Sequence, residues 1–395
     1  MSELASEPSR TARLRLPTAD GSLCEHVLGE PGRWARPTGP ITSRIAYAAA
    51  HVVADPLAGS APGAPAVLDW DATLAVRRHL WSWGLGVADA MDTAQRGMGL
   101  DWAATAELVR RSAAEARAVG GRLVCGVGTD TGGRIGSLDD VVGAYLTQLE
   151  VVVDAGAGVV LMASRDLARL AAGPDDYAKV YGRVLGQVPG PVVLHWLGEV
   201  FDPALAGYWG STDVDAATDA VLALIAEHAD VIDGIKVSLL DAAHEVRLRA
   251  ALPAGVKLYT GDDFHYPELI RGDGAAHSHA LLGVFDAVAP AASAALQALD
   301  AGDLPGYDAA LAPTVALARH LFAAPTAHYK TGIVFLAWLA GRQPAFAMVG
   351  GMAAARGVVH LAEVLRLADA AGLLPDPELA AHRMRQLLAV AGVDA

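Results

Sequence analysis

Lysine is scarce in this 395-residue chain, and one of its four copies, Lys236, falls in the apolar run VIDGIKVSLLD at 231–241. An amine in such a run is costly to bury unless it is paired or used. Three uses are open to it: attack on a carbonyl to form a Schiff base, capture of a substrate anion, or an ion pair with a neighbouring carboxylate. Desolvation disfavours the ammonium form and lowers the amine's pKa, so more free base is present near neutrality. The resulting iminium is an electron sink that stabilises a carbanion on the adjacent carbon. Carbon–carbon bonds can then form or break. Such chemistry needs a proton carrier, and a histidine near its unperturbed pKa can give and take protons, which makes His195 in PVVLHWLG (191–198) the candidate. Its competing role is that of a packed, hydrogen-bonded core histidine, with Trp196 beside it as pocket wall or barrel packing.

A second constellation has metal-ligand character. Asp262, Asp263, His265, His277 and His279 offer oxygen and imidazole donors. The H-x-H spacing of His277 and His279 on an extended strand puts both rings on one face. HSHA has no third ligand close in sequence, so hydrogen bonding within a pocket is the other use of these side chains.

The elements that must position these residues alternate along the chain. Strand-like runs occur at 43–53, 84–91, 121–128, 157–164, 191–198, 231–240, 255–263 and 273–280, the last rich in glycine and alanine. Between them lie helical patterns at 71–83, 102–118, 139–153, 175–185, 214–228 and 241–252. Apolar strands separated by helices imply crossover connections and a parallel sheet. Eight such units predict a closed (β/α)8 TIM barrel over 40–300. An open dinucleotide-binding sheet would carry G-x-G-x-x-G after its first strand, and GVGTDTGG at 126–133 has no helix directly after its glycines. Five further helical patterns, at 291–300, 307–323, 329–340, 359–371 and 377–390, are too many for one barrel helix. They predict a C-terminal helical region over 301–395, while the turn-rich pieces PTADG, GEPGRW and RPTGP make 1–39 an N-terminal extension.

Barrel sites lie at the C-terminal ends of the strands. Those ends would supply Asp92, Thr93, His195, Trp196, Lys236, Ser238, Asp262, Asp263 and His265, then His277 and His279. Lys257 falls near the start of its strand, where a charge is solvated or structural. With 53% hydrophobic and 19% charged residues the chain can bury a large core. Its net charge of −14 repels nucleic acid and anionic lipid, so neither is an expected partner. No apolar run approaches membrane-spanning length. Cys24 and Cys125, far apart and without a signal core in the polar 1–22 segment, read as free thiols in a reducing, cytoplasmic setting.

GLGVADAMDTAQ, the GVG of the third strand, GIKVSLLD, LYTGDD and GDGAAHSHALLGVFDAVAP stand in an order that resembles the dihydrodipicolinate synthase / N-acetylneuraminate lyase family. GDLPGYDAALAPTVALARHLF with PTAHYKTG is similar to that family's C-terminal helical region, so the likeness runs from about residue 40 to 390. The resemblance implies a barrel with a C-terminal bundle, class I chemistry through a covalent lysine imine with no other cofactor, and a homodimer or homotetramer. By position it makes Lys236 the imine-forming lysine. Two departures matter. The family's glycine-threonine-threonine-glycine-glutamate motif is MDTAQ here, so Thr93 is kept while Asp92 occupies a neighbouring position. The family's strand-five tyrosine is replaced by His195, and the arginine that follows it has no counterpart in GEVFD. Asp92 suits substrate hydroxyls better than a substrate carboxylate.

The expected protein is therefore a lyase, aldolase or dehydratase acting on a small polar keto acid or sugar-derived carbonyl. Lys236 would be the nucleophile and His195 the proton carrier. Asp92, Thr93, Trp196, Ser238, Asp262, Asp263, His265 and His277 would contact the substrate. One alternative uses a divalent metal held by Asp262, Asp263, His265, His277 and His279. Another is a barrel that binds a small molecule without turnover.

Overall fold

Most barrel strands are short, apolar and followed by a helix with a side-chain cap at its start, and the helix returns the chain to the same end of the sheet. The structure, a computed structural model, describes residues 12–394. An antiparallel hairpin, β1 (Arg13–Pro17) and β2 (Leu23–Val27), comes first. The strands β3 (Ala46–Ala49), β4 (Gly86–Asp89), β5 (Leu123–Val127), β6 (Gly158–Leu161), β7 (Val192–Leu197), β8 (Ile232–Ser238), β9 (Lys257–Thr260) and β10 (His279–Leu282) then follow. These eight are parallel and close into a barrel in the order β10-β3-β4-β5-β6-β7-β8-β9. The helix boundaries have local causes. Asp69 and Asp101 accept from the amides of Ala72 and Ala104, Ser137 forms a capping box with Asp140, and Gly120 ends its helix in the left-handed region.

Alternation along the strands sorts side chains into two layers. Ala49, Ala88, Val124, Val160, Met162, Val193, Tyr259 and Leu281 fill the barrel interior. Residues one position away, such as Val192, Leu194, Ile235 and Val237, pack outward under the helices. The parity of Val193 carries His195 inward and Trp196 outward. Cross-strand register pairs His195 with Lys236 and Lys236 with Tyr259.

The described part of the N-terminal extension is a docked hairpin: Leu14 and Leu16 join the core formed by the C-terminal helices. Arg366 donates to the Leu16 and Pro17 carbonyls, and Trp34 Nε1 donates to Gly372 O at 3.0 Å. Residues 1–11 lie outside the described residues. The last barrel strand runs over 279–282, not 273–280. Gly272 and Gly274 at φ 74° and 90°, with the Asp273 carboxylate accepting from the Ala275 and Ala276 amides, hold the preceding segment in a turn. Among the described residues no helix is long and apolar enough to cross a membrane.

Candidate active site

Lys236 stands on β8 facing the barrel axis, with only 6% of its surface accessible. Among the described residues it forms no ion pair, having no carboxylate oxygen within 4 Å, whereas Lys257 at the strand base is paired with Asp233 at 2.5 Å. Burial pulls its amine below the ordinary lysine value, against the opposing fields of Asp92 and Asp263. Asp263 is moved the other way: burial pushes its carboxyl up, although the Val284 amide donates to it at 2.8 Å and the Lys236 charge favours ionisation. The low-dielectric site thus favours a neutral amine beside a carboxyl that holds its proton to higher pH.

Space for the lysine stem depends on Gly261. A Cβ there would lie 2.8 Å from Lys236 Cε and from the Val237 carbonyl, and would collide with Ser238 Oγ. Gly261→Ala is therefore expected to displace the amine and to cost about 1–3 kcal/mol of stability. Denaturant unfolding and carbonyl trapping on Lys236 check the two effects separately; unchanged trapping with an unchanged midpoint would show the strand accommodating the methyl.

Asp92, Thr93, Ser238 and Asp263 line one small cavity with Lys236, walled by Met91, Leu197, Phe201, Phe322 and Tyr329. The last two come from the C-terminal helical region. Tyr329 and Phe322 stack at 4.2 Å, with Phe201 edge-on at 6.3 Å to both. The Tyr329 hydroxyl lies 2.8 Å from Thr93 Oγ1, and burial raises its pKa far above the usual value, so it keeps its proton. Gly283, at the rim after β10, admits these rings; a Cβ would sit 3.1 Å from Phe322 and 3.2 Å from Tyr329.

A wider vestibule shares Asp92 and Leu197 with this cavity and is lined by His195, Thr129, Asp130, Arg96, Arg165 and Asp202, among others. His195 is wholly buried; its Nε2 is 3.4 Å from Ser238 Oγ, and its Nδ1 has no partner among the described residues. Burial, reinforced by Lys236, holds its pKa well below the usual histidine value, so the ring is neutral and presents one lone pair and one N–H. Arg96 is committed to the scaffold through the Ala90 and Gly126 carbonyls, Gln148 and an ion pair with Asp130. Arg165 is paired with Asp202.

The expected site residues thus divide. Lys236, Asp92, Thr93, Ser238 and Asp263 share the inner cavity, and His195 borders the vestibule. Trp196 requires correction as a substrate contact, because strand alternation turns it into the outer layer. It packs edge-on against Trp209 at 6.4 Å and His244 at 5.4 Å. Asp262 also faces away: its carboxylate accepts from the Phe264 and His265 amides and pairs with His265 Nδ1 at 2.9 Å, so both side chains stabilise the loop after β9.

His277 and His279 are displaced further. Since β10 begins at His279, they lie at the base of the barrel, where His279 Nδ1 accepts from the Ile45 amide at 3.0 Å. The five expected metal donors are split between the two ends of the barrel. Among the described residues no group of three or more His, Cys, Asp or Glu side chains is placed to hold a metal ion. Tyr329, Phe322 and Phe201 were not expected in the site. PTAHYKTG marks the segment of Tyr329, but nothing local in it specifies contact with residues some 230 positions earlier.

Solved structures share this architecture. The 4-hydroxy-tetrahydrodipicolinate synthase of the thermoacidophilic methanotroph Methylacidiphilum fumariolicum SolV superposes with a TM-score of 0.63 at 14% identity, covering 86% of this chain and 99% of that one. YagE, a prophage protein of the dihydrodipicolinic acid synthase family from E. coli K12 solved in complex with pyruvate, gives 0.61 at 14% identity over 89% and 99%. Dihydrodipicolinate synthase from Aquifex aeolicus gives 0.61 at 12% identity over 84% and 99%. At these identities the likeness is one of fold. No curated protein matches the chain in sequence. A model of the family described as "Protein of unknown function (DUF993)" matches residues 14–393, and the chain belongs to that family.

Proposed function

We propose that this protein is a Schiff-base-forming lyase of the aldolase or dehydratase type, with Lys236 as its nucleophile. The observation that carries this reading is a buried lysine without an ion-pair partner among the described residues, turned into a cavity at the C-terminal mouth of the barrel. The similarity in fold to a dihydrodipicolinate synthase, and to a prophage protein of that family solved with pyruvate, supports the same chemistry.

In this mechanism the neutral Lys236 amine adds to a substrate carbonyl carbon and yields a carbinolamine. Asp263, whose carboxyl retains its proton to higher pH than usual, protonates the departing oxygen, and water leaves as the carbon–nitrogen double bond forms. The protonated imine then accepts the electron pair of an adjacent carbon–carbon or carbon–hydrogen bond. The neutral His195 ring accepts the proton released in that step and returns it to the product, and the Thr93–Tyr329 hydroxyl pair orients the bound oxygen.

The test is reductive trapping. Sodium cyanoborohydride with a small carbonyl compound should convert the imine to a secondary amine, giving a mass increase on the peptide that contains Lys236. Because the amine's pKa is lowered, trapping should rise with pH through a midpoint below the ordinary 10.5. Adducts confined to the exposed Lys179 or to Lys257, or a midpoint at the ordinary lysine value, would refute this assignment.

A further inference from the structure

Resting on the Lys236 imine, we infer that the substrate is a neutral, polyhydroxylated carbonyl compound of the open-chain sugar class, and that the carboxylate of Asp92 selects it against 2-keto acids. The carboxylate of a 2-keto acid is bonded to the imine carbon itself. Its oxygens therefore lie roughly 3–4 Å from Lys236 Nζ by bond lengths alone, inside the inner cavity. Apart from Lys236, the ionisable groups lining that cavity are Asp92, Asp263 and Tyr329, and the remaining polar groups are the hydroxyls of Thr93 and Ser238. A second negative charge would meet the Asp92 carboxylate there, and no cation besides the imine nitrogen itself.

The cations near the vestibule are already used. Arg96 is held by Asp130, and Arg165 by Asp202. Lys330 donates to the Ala327 carbonyl at 3.2 Å and to Met98 Sδ at 3.3 Å, and lines neither cavity. The half-buried Asp92 is the opposite case. It borders both cavities, yet its carboxylate has no hydrogen bond or ion pair among the described residues. Unused carboxylate oxygens at this junction accept from hydroxyls on the carbons next to a carbonyl, and a charged acceptor strengthens each bond. The hydroxylated tail then extends past Thr129 and His195 into the vestibule, whose lining holds Asp92, Asp130, Asp166 and Asp202 against two arginines.

The experiment compares L-erythrulose, a ketose too short to close into a stable ring, with pyruvate under cyanoborohydride at equal concentrations. Each rate on Lys236 is divided by that of the same compound with Nα-acetyl-lysine, which removes intrinsic carbonyl reactivity. The expected ratio favours erythrulose at least about tenfold, the scale of a hydrogen bond to a charged group. Asp92→Asn should cut the erythrulose rate about tenfold and raise that of pyruvate, because it removes the charge and keeps the shape. A normalised pyruvate rate equal to or above that of erythrulose overturns the substrate class and leaves the imine standing. An unchanged ratio in Asp92→Asn overturns the role of Asp92. Absence of any adduct on Lys236 with either compound refutes the Schiff-base mechanism, and this inference with it.

Discussion

Lys236→Met should abolish trapping and turnover, by a factor on the order of 10⁴ to 10⁶ in rate, while the barrel stays folded and its thermal midpoint holds or rises. The combination is the informative part. A buried amine used in an ion pair lowers stability when removed, because its partner is left uncompensated. Lys236 has no such partner within 4 Å among the described residues, and the fields of Asp92 and Asp263 offset its desolvation only in part. Methionine fills nearly the same channel beside Gly261 without that penalty. Thermal denaturation followed by circular dichroism, together with the trapping assay, reads both effects. A midpoint lower by many degrees would make Lys236 a structural cation instead.

Asp89→Asn should destabilise the fold by about 3–5 kcal/mol, with a corresponding fall in the urea midpoint. Arg77, from the helix Trp70–Ser82, donates Nε and Nη2 to the two Asp89 oxygens at 3.0 and 2.7 Å, and neither side chain is accessible. Asparagine would leave that guanidinium charged, dry and without the carboxylate that pairs with it, the field of Asp286 alone remaining. The double variant Arg77→Met/Asp89→Leu should recover most of the loss, since it removes both charges and keeps the volume apolar. Equal destabilisation in the single and double variants would assign the effect to packing. The pair also bears on the site. Asp89 ends β4 and accepts from the amide of Ala90, whose φ of 52° begins the turn that carries Asp92 and Thr93. Slower trapping in Asp89→Asn at temperatures where it remains folded is the expected kinetic counterpart.

Much of this architecture was legible because its signals are local. Helix starts rest on capping residues such as Asp101 and Ser137, and strand–helix alternation requires only apolar runs of the right length. The errors share a different cause. Trp196 is one residue from His195, and a single step along a strand exchanges the inner and outer faces. The expectation of His277 and His279 at the mouth starts the final strand several residues early, because glycine-rich turns carry no periodicity to set its start.

The parallel alternation of strands and helices, the abundance of apolar residues for a large core, and the placement of Lys236 inside an apolar strand are all written in the chain's local order. These follow from composition and from periods of two and 3.6 residues. Which faces meet was decided only in the tertiary structure. Barrel closure brought β10 beside β3, set Asp263 and Asp92 around one amine, and let Tyr329 reach Thr93 from a helix in the C-terminal region. Such contacts depend on packing between distant segments, and short-range patterning carries no record of them.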